Sequence, residues 1–340
     1  MRALVVGATS WGCTLAVQID RAGAEAVVLC RDAAEAARLD ADRENRRLLP
    51  GIVLPDALRF TDDPAAGGPV DAVVLAVPMQ RLRENMAAVL ALAGPLPPIV
   101  SAAKGLEMDS HLRGSQVIAQ ELARAGREAP VCVLSGPNIA REIALGQPSA
   151  TVLAGADPGV LEPLRAMLMT PSFRVYTNDD VVGVELGGAL KNVVGIGAGI
   201  GDALDAGANG RAAFLTRGLA EMARLGVAEG AQAITFAGLA GLGDLIATAV
   251  SPRSRNHFVG EQLGRGIPLA KILDGMVHVA EGVETTRAAR TLARRAGVEM
   301  PIVEAMYRVL FEGQRPPDAI RDLMTRSAGD EIAPPPILPS

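Results

Sequence analysis

The feature that most limits the fold is a change of rhythm near Asp179. Before it, short apolar runs at 3–6, 26–30, 72–77, 99–102, 131–134, 150–153 and 173–176 alternate with helical patterns at 12–22, 33–45, 82–92, 115–125 and 160–169. Strands that are apolar on both faces and separated by helices predict a mostly parallel, doubly wound sheet. After Asp179 only helical periods remain, at 181–194, 211–225, 231–236, 257–263, 285–296 and 302–311. Pro301 and Pro316 each precede an amphipathic stretch and suit the first turn of a helix. The expected fold class is therefore α/β plus all-α. A chain of 340 residues also exceeds what one core usually serves, so the expected division is 1–178, 179–330 and a proline-rich tail at 331–340.

Composition narrows the chemistry. A net charge of −5 leaves no electrostatic footprint for nucleic acid or an anionic membrane. Cys13, Cys30 and Cys132 are far apart without a paired spacing, and His111, His257 and His278 are the only histidines, so neither a disulfide framework nor a metal site is expected. Acid–base work must then fall to lysine or carboxylates. The first apolar run is too short for a secretory signal, and no run of about 20 apolar residues is read as a membrane span, which predicts a cytoplasmic protein without stable membrane insertion.

Gly7-Ala8-Thr9-Ser10-Trp11-Gly12 follows the first strand and opens a helix. A glycine fingerprint in that context sets a dinucleotide pyrophosphate on a helix N-terminus, although Thr9 stands where the middle glycine belongs. By itself the segment reads equally as an ordinary strand-to-helix turn. At the end of the second strand, Cys30-Arg31-Asp32 places an arginine where a 2′-phosphate would lie, favouring NADPH with NADH possible. Arg31 could instead be a solvated surface residue, and Asp32 could reach a ribose.

Glu185-Leu186-Gly187-Gly188-Ala189-Leu190-Lys191-Asn192 sets a lysine in an apolar helix followed by a glycine-rich stretch. Lys191 either snorkels to water or is desolvated into range as a general acid and base. Lys104, Asp244 and Ser254-Arg255-Asn256 are further polar groups in apolar or glycine-rich settings, and together they suit a small phosphorylated ketone. Asp244 could orient and tune Lys191. Ser135-Gly136-Pro137-Asn138 ends a strand, where Asn138 reads either as a helix N-cap or as a ligand contact.

These segments, with Ala76-Val77-Pro78, Lys104-Gly105-Leu106-Glu107, Thr216 to Glu221, Gly238 to Asp244 and Glu281-Gly282, resemble bacterial-type NAD(P)H-dependent glycerol-3-phosphate dehydrogenase over nearly the whole chain. The resemblance implies a Rossmann-like N-terminal domain, a helical C-terminal domain, an active site between them and a homodimer. It implies interconversion of dihydroxyacetone phosphate and sn-glycerol 3-phosphate, which supplies phospholipid synthesis. It assigns catalysis to Lys191, Lys104 and Asp244, and substrate binding to those three with Gly136, Asn138, Ser254, Arg255 and Asn256. Cofactor contacts fall to Gly7, Ser10, Trp11, Gly12, Arg31, Lys104, Ala140, Arg255, Val279 and Glu281. Thr9 replaces the family's usual glycine and Asn138 its serine or threonine, which bear on cofactor geometry and on one substrate or amide contact. Ketopantoate reductase-like and 6-phosphogluconate dehydrogenase-like proteins lack the Gly241-Leu242-Gly243-Asp244 and Ser254-Arg255-Asn256 combination, and a nucleotide sensor without turnover would not need the two lysines.

Overall fold

A computed structural model describes residues 1–276 and 279–327. The expected tail at 331–340 and His278 lie outside the described residues. The N-terminal half runs β1 (Arg2–Val6), α1 (Ser10–Arg21), β2 (Glu25–Leu29), α2 (Ala33–Asp42), β3 (Arg59–Thr61), β4 (Ala72–Leu75), α3 (Leu82–Leu90), β5 (Ile99–Ser101), α4 (Gly114–Arg124), β6 (Val131–Ser135), α5 (Ala140–Ala144), β7 (Ser149–Ala154), α6 (Pro158–Leu168) and β8 (Phe173–Asn178). The strands form one eight-stranded sheet in the order β3-β2-β1-β4-β5-β6-β7-β8. All neighbours are parallel except β6 and β7.

Alternate residues of each strand feed opposite cores, as the period of two demands. Ala3, Val5, Val28, Val74 and Val100 pack with α1 on one face, while Leu4, Val6, Val27, Val73 and Ile99 pack under α3 and α4 on the other. Both faces are covered, which is why these strands read as continuous apolar runs. The strand order reverses direction between β1 and β4. At such a switch point the strand ends leave a crevice, and the turns after β1, β4 and β5 line it.

Among the described residues from 181 onward the fold is helical: α7 (Val181–Ala203), α8 (Gly207–Ala228), α9 (Asp244–Val250), α10 (Arg255–Gly264), α11 (Leu269–Asp274), α12 (Glu281–Arg295), α13 (Pro301–Phe311) and α14 (Pro316–Met324). Pro301 and Pro316 occupy first-turn positions. The stretch expected as a helix at 231–236 is instead a 3₁₀ turn, Ala233–Ala237, followed by a π turn, Leu239–Gly243.

Helix α7 is 23 residues long and apolar enough by length and composition to cross a membrane, but 89% of its most apolar window is buried inside the protein. It is the central helix of the second half, and its glycines explain how others crowd it. A Cβ at Gly260 of α10 would lie 1.9 Å from the Ile196 carbonyl oxygen, and one at Gly199 would lie 2.1 Å from that of His257. Residues without side chains let the α7 and α10 backbones touch at both points.

Candidate active site

A cleft opens between the sheet and the helices, with Ser10 and Trp11 at one end and Lys191, Asp244 and Arg255 at the other. Helix α7 delivers Lys191, the β5–α4 connection delivers Lys104, and α9 begins on Asp244. Asp244 is buried, and its two oxygens take one lysine each. The Lys104 ammonium donates to Oδ2 at 2.7 Å and to the Gly136 carbonyl at 2.7 Å. The Lys191 ammonium lies 3.1 Å from Oδ1 and donates to Thr248 Oγ1 at 2.7 Å. Thr248 sits one helical turn beyond Asp244, so both partners of Lys191 lie on one face of α9.

Lys191 is 8% exposed, so it does not snorkel. Desolvation brings its ammonium down from 10.5 to about 8; Asp244 opposes that fall, while Lys104 and Arg255 add to it. A lysine in that range exchanges protons near neutral pH. The charged groups lining the cleft are Lys104, Arg141, Lys191, Arg253 and Arg255 against Asp244 and Glu281, an excess of three positive charges when all are ionised. Such an excess suits an anionic substrate.

Ser254 caps α10, its hydroxyl accepting the His257 amide at 3.2 Å. Arg255 opens onto the cleft from the first turn of that helix, where amides and dipole favour an anion. Asn256 is buried and braces the backbone: it donates to Asn192 Oδ1 at 2.8 Å and accepts the Gly282 amide at 2.9 Å. Glu281 accepts the Met79 amide at 3.1 Å, and burial raises its carboxyl above the ordinary range against the pull of Arg255.

At the other end, the glycine turn meets its steric requirements. Gly7 has φ 105°, and a Cβ there would lie 2.7 Å from Val77; a Cβ on Gly12 would lie 2.0 Å from the Gly7 carbonyl. Thr9 sits in an extended conformation, φ −77°, and needs no glycine. Its hydroxyl accepts the Gly12 amide at 3.0 Å and donates to the Ala76 carbonyl at 2.7 Å, capping α1 and leaving the Ser10 and Trp11 end of the helix at the cleft. The turn therefore fits a pyrophosphate despite the missing glycine.

Of the other residues singled out by sequence, Ala140 lines the cleft, Gly136 lies beneath it, and Gly7 and Gly12 shape the turn from behind. Val279 is 47% exposed and off the cleft wall. Arg31 is exposed and paired with Asp32, whose other oxygen caps α2 through the Glu35 amide at 2.7 Å. The N-cap reading of Asn138 is corrected: Ile139 holds that position, and the Asn138 side chain accepts from Thr151 Oγ1 at 3.0 Å. Sequence reasoning missed Thr248, detectable only from its spacing to Asp244, and Asn45, which donates to the Ala8 carbonyl at 2.8 Å and steadies the fingerprint turn.

Two family models match the chain: NAD-dependent glycerol-3-phosphate dehydrogenase N-terminus over residues 3–160 and the corresponding C-terminus over residues 180–321. The chain belongs to the NAD-dependent glycerol-3-phosphate dehydrogenase family. It is 49% identical over 326 residues to a glycerol-3-phosphate dehydrogenase [NAD(P)+] of Geobacter sulfurreducens, covering 95% of this chain and 96% of that one. With the enzyme of the same name from Desulfitobacterium hafniense the identity is 46%, over 96% of this chain and 92% of the other. The crystal structure of glycerol-3-phosphate dehydrogenase from Coxiella burnetii superposes with a TM-score of 0.90 at 34% identity, covering 96% of this chain and 99% of that one. A ketopantoate reductase from Ralstonia eutropha, at 14% identity and TM-score 0.58, shares the fold alone. Within the glycerol-3-phosphate dehydrogenase family, then, this chain sets two lysines on one buried carboxylate and closes its fingerprint turn with a threonine cap.

Proposed function

We propose that this chain interconverts dihydroxyacetone phosphate and sn-glycerol 3-phosphate, with Lys191 as proton donor in reduction and acceptor in oxidation. The observation that carries the reading is the pair of ammonium groups on opposite oxygens of Asp244, beside the anion-binding start of α10. In the reductive direction the Lys191 ammonium, steadied by Asp244 and Thr248, gives its proton to the oxygen that develops negative charge at the ketone carbon. Lys104 adds a second positive charge near that oxygen, and its own grip on Asp244 stops the carboxylate from holding Lys191 too firmly. Arg255 and the first turn of α10 take the substrate phosphate. Asn256, already committed to Asn192 and Gly282, serves mainly by holding α10 in place.

The fingerprint turn with Ser10 and Trp11 would hold a nicotinamide dinucleotide, with Ala140 and Glu281 along its path and Arg31 at the 2′ position, favouring NADPH. When bound, the nicotinamide supplies or accepts the hydride. We assign residues 1–178 to the dinucleotide domain and 179–330 to the catalytic domain, and read the enzyme as a cytoplasmic homodimer supplying glycerol 3-phosphate for phospholipid synthesis. Following nicotinamide absorbance with purified protein tests the reaction. Oxidation of NADPH that depends on dihydroxyacetone phosphate is expected; cofactor binding without turnover would leave a nucleotide sensor instead.

A further inference from the structure

The Lys104-bearing connection between β5 and α4 is fastened to α7 along a single stripe of that helix, Glu185, Gly188 with Ala189, and Asn192, spaced as one helical face requires. At its near end Asn192 donates to the Lys104 carbonyl at 3.4 Å. In the middle, Leu106 is wholly buried in the core cluster of the helical half that also holds Ala189, and a Cβ on Gly188 would lie 3.7 Å from the Lys104 side chain. At the far end the buried Glu185 carboxylate caps α4, accepting the Ser115 amide at 2.7 Å and the Ser115 hydroxyl at 2.6 Å, and it pairs with Arg113. Gly114 lets the chain pass close: a Cβ there would lie 2.9 Å from Ser101 Oγ and 3.4 Å from Glu185 Oε1.

We propose that Glu185, acting through Arg113 and Ser115, is a positioning residue that fixes how closely Lys104 approaches Asp244 and Lys191. The reasoning is geometric. Lys104 hangs on a connection whose two ends are β5 and the start of α4; β5 is locked in the sheet, and Glu185 locks the other end to the helix that carries Lys191. A carboxylate on a helix N-terminus, paired with a half-buried arginine, makes this anchor stiff. The groups that face Lys191 are Asp244 from α9, Lys104 from the anchored connection and Arg255 from α10, with Glu281 of α12 set against Arg255. Of these, Lys104 alone stands on a connection rather than on a helix, so its distance depends on the anchor.

This inference rests on the proton-transfer reading of Lys191, and the experiment separates the two. Amine-reactive labelling across pH, read by peptide mass spectrometry, gives the protonation midpoint of Lys191 without any turnover; wild type is expected near about 8. In Glu185→Gln the charge on the anchor is lost and Lys104 moves off. Lys191 then feels less repulsion and more of Asp244, so its midpoint rises by about half a unit. With it kcat falls about tenfold while KM for dihydroxyacetone phosphate stays within about twofold, because the α10 phosphate site is untouched. Ser115→Ala keeps the Arg113 pair and is expected to shift the midpoint the same way by less, which supplies the answer if Glu185→Gln does not fold. A depressed wild-type midpoint left unmoved by these variants overturns the role of Glu185 alone. A wild-type midpoint near 10.5 would sink the reading of Lys191 and this inference with it.

Discussion

Lys104 and Lys191 hold opposite oxygens of one buried carboxylate, 2.7 Å and 3.1 Å from Asp244. One carboxylate between two ammonium groups leaves each incompletely compensated. The one that is more buried, Lys191, therefore loses proton affinity, and the arrangement itself sets the acid–base strength of the site.

This gives opposite pH profiles for the two directions. Reduction needs the Lys191 ammonium, present below about 8 and lost above it; oxidation needs the neutral amine. At saturating substrate, kcat for reduction should fall as pH rises through that midpoint, and kcat for oxidation should rise. Parallel profiles in both directions would separate Lys191 from proton transfer.

Asp244→Asn removes the anion and leaves two lysines facing each other. The Lys191 midpoint should drop below that of wild type, and reductive kcat at neutral pH should fall by about 100-fold as the acid form is depleted and both lysines lose their anchor. Titration and single-turnover rates on the variant test this; a midpoint that rose would reverse the assigned sign.

Arg31 bears on cofactor choice. It is exposed, and its pairs with Asp32 and Glu35 are surface pairs that a 2′-phosphate would compete with for the guanidinium. Arg31→Asp should lower the NADPH-to-NADH ratio of kcat/KM by about tenfold or more, through lost charge-assisted contact and added repulsion. An unchanged ratio would remove Arg31 from the account.

Gly260→Ala tests the α7–α10 crossing. Its methyl would sit 1.9 Å from the Ile196 carbonyl oxygen, a backbone atom that cannot swing aside. Urea unfolding should show a loss of roughly 3 kcal/mol or more, and KM for the phosphorylated substrate should rise as α10 carries Arg255 away from the cleft. A loss within about 0.5 kcal/mol would mean that the helices part without cost.

Much of this fold is legible in the sequence because buried parallel strands and amphipathic helices each leave a period. The exceptions have physical causes. Strand β3, Arg59–Thr61, spans three residues at the sheet edge, too few to show alternation. Helix α9 follows Gly238 to Gly243, whose composition reads as loop, yet Leu239–Gly243 forms a π turn that runs directly into α9 at Asp244. Lys191, Lys104 and Asp244 stood out as charges among apolar residues. Thr248 and Glu185 did not, since a threonine or glutamate in a helix is ordinary until its partner, distant in sequence, is in view. Asn138 looked like a cap because it precedes a helix, but its side chain turns across to β7.

The central claim is that Lys191 moves the proton, and Lys191→Ala tests it most directly. Reductive kcat with dihydroxyacetone phosphate should fall by about 100-fold or more, with NADPH affinity and thermal midpoint close to wild type, since the fingerprint turn lies at the other end of the cleft. Near-normal turnover in a folded, NADPH-binding Lys191→Ala protein would contradict the account.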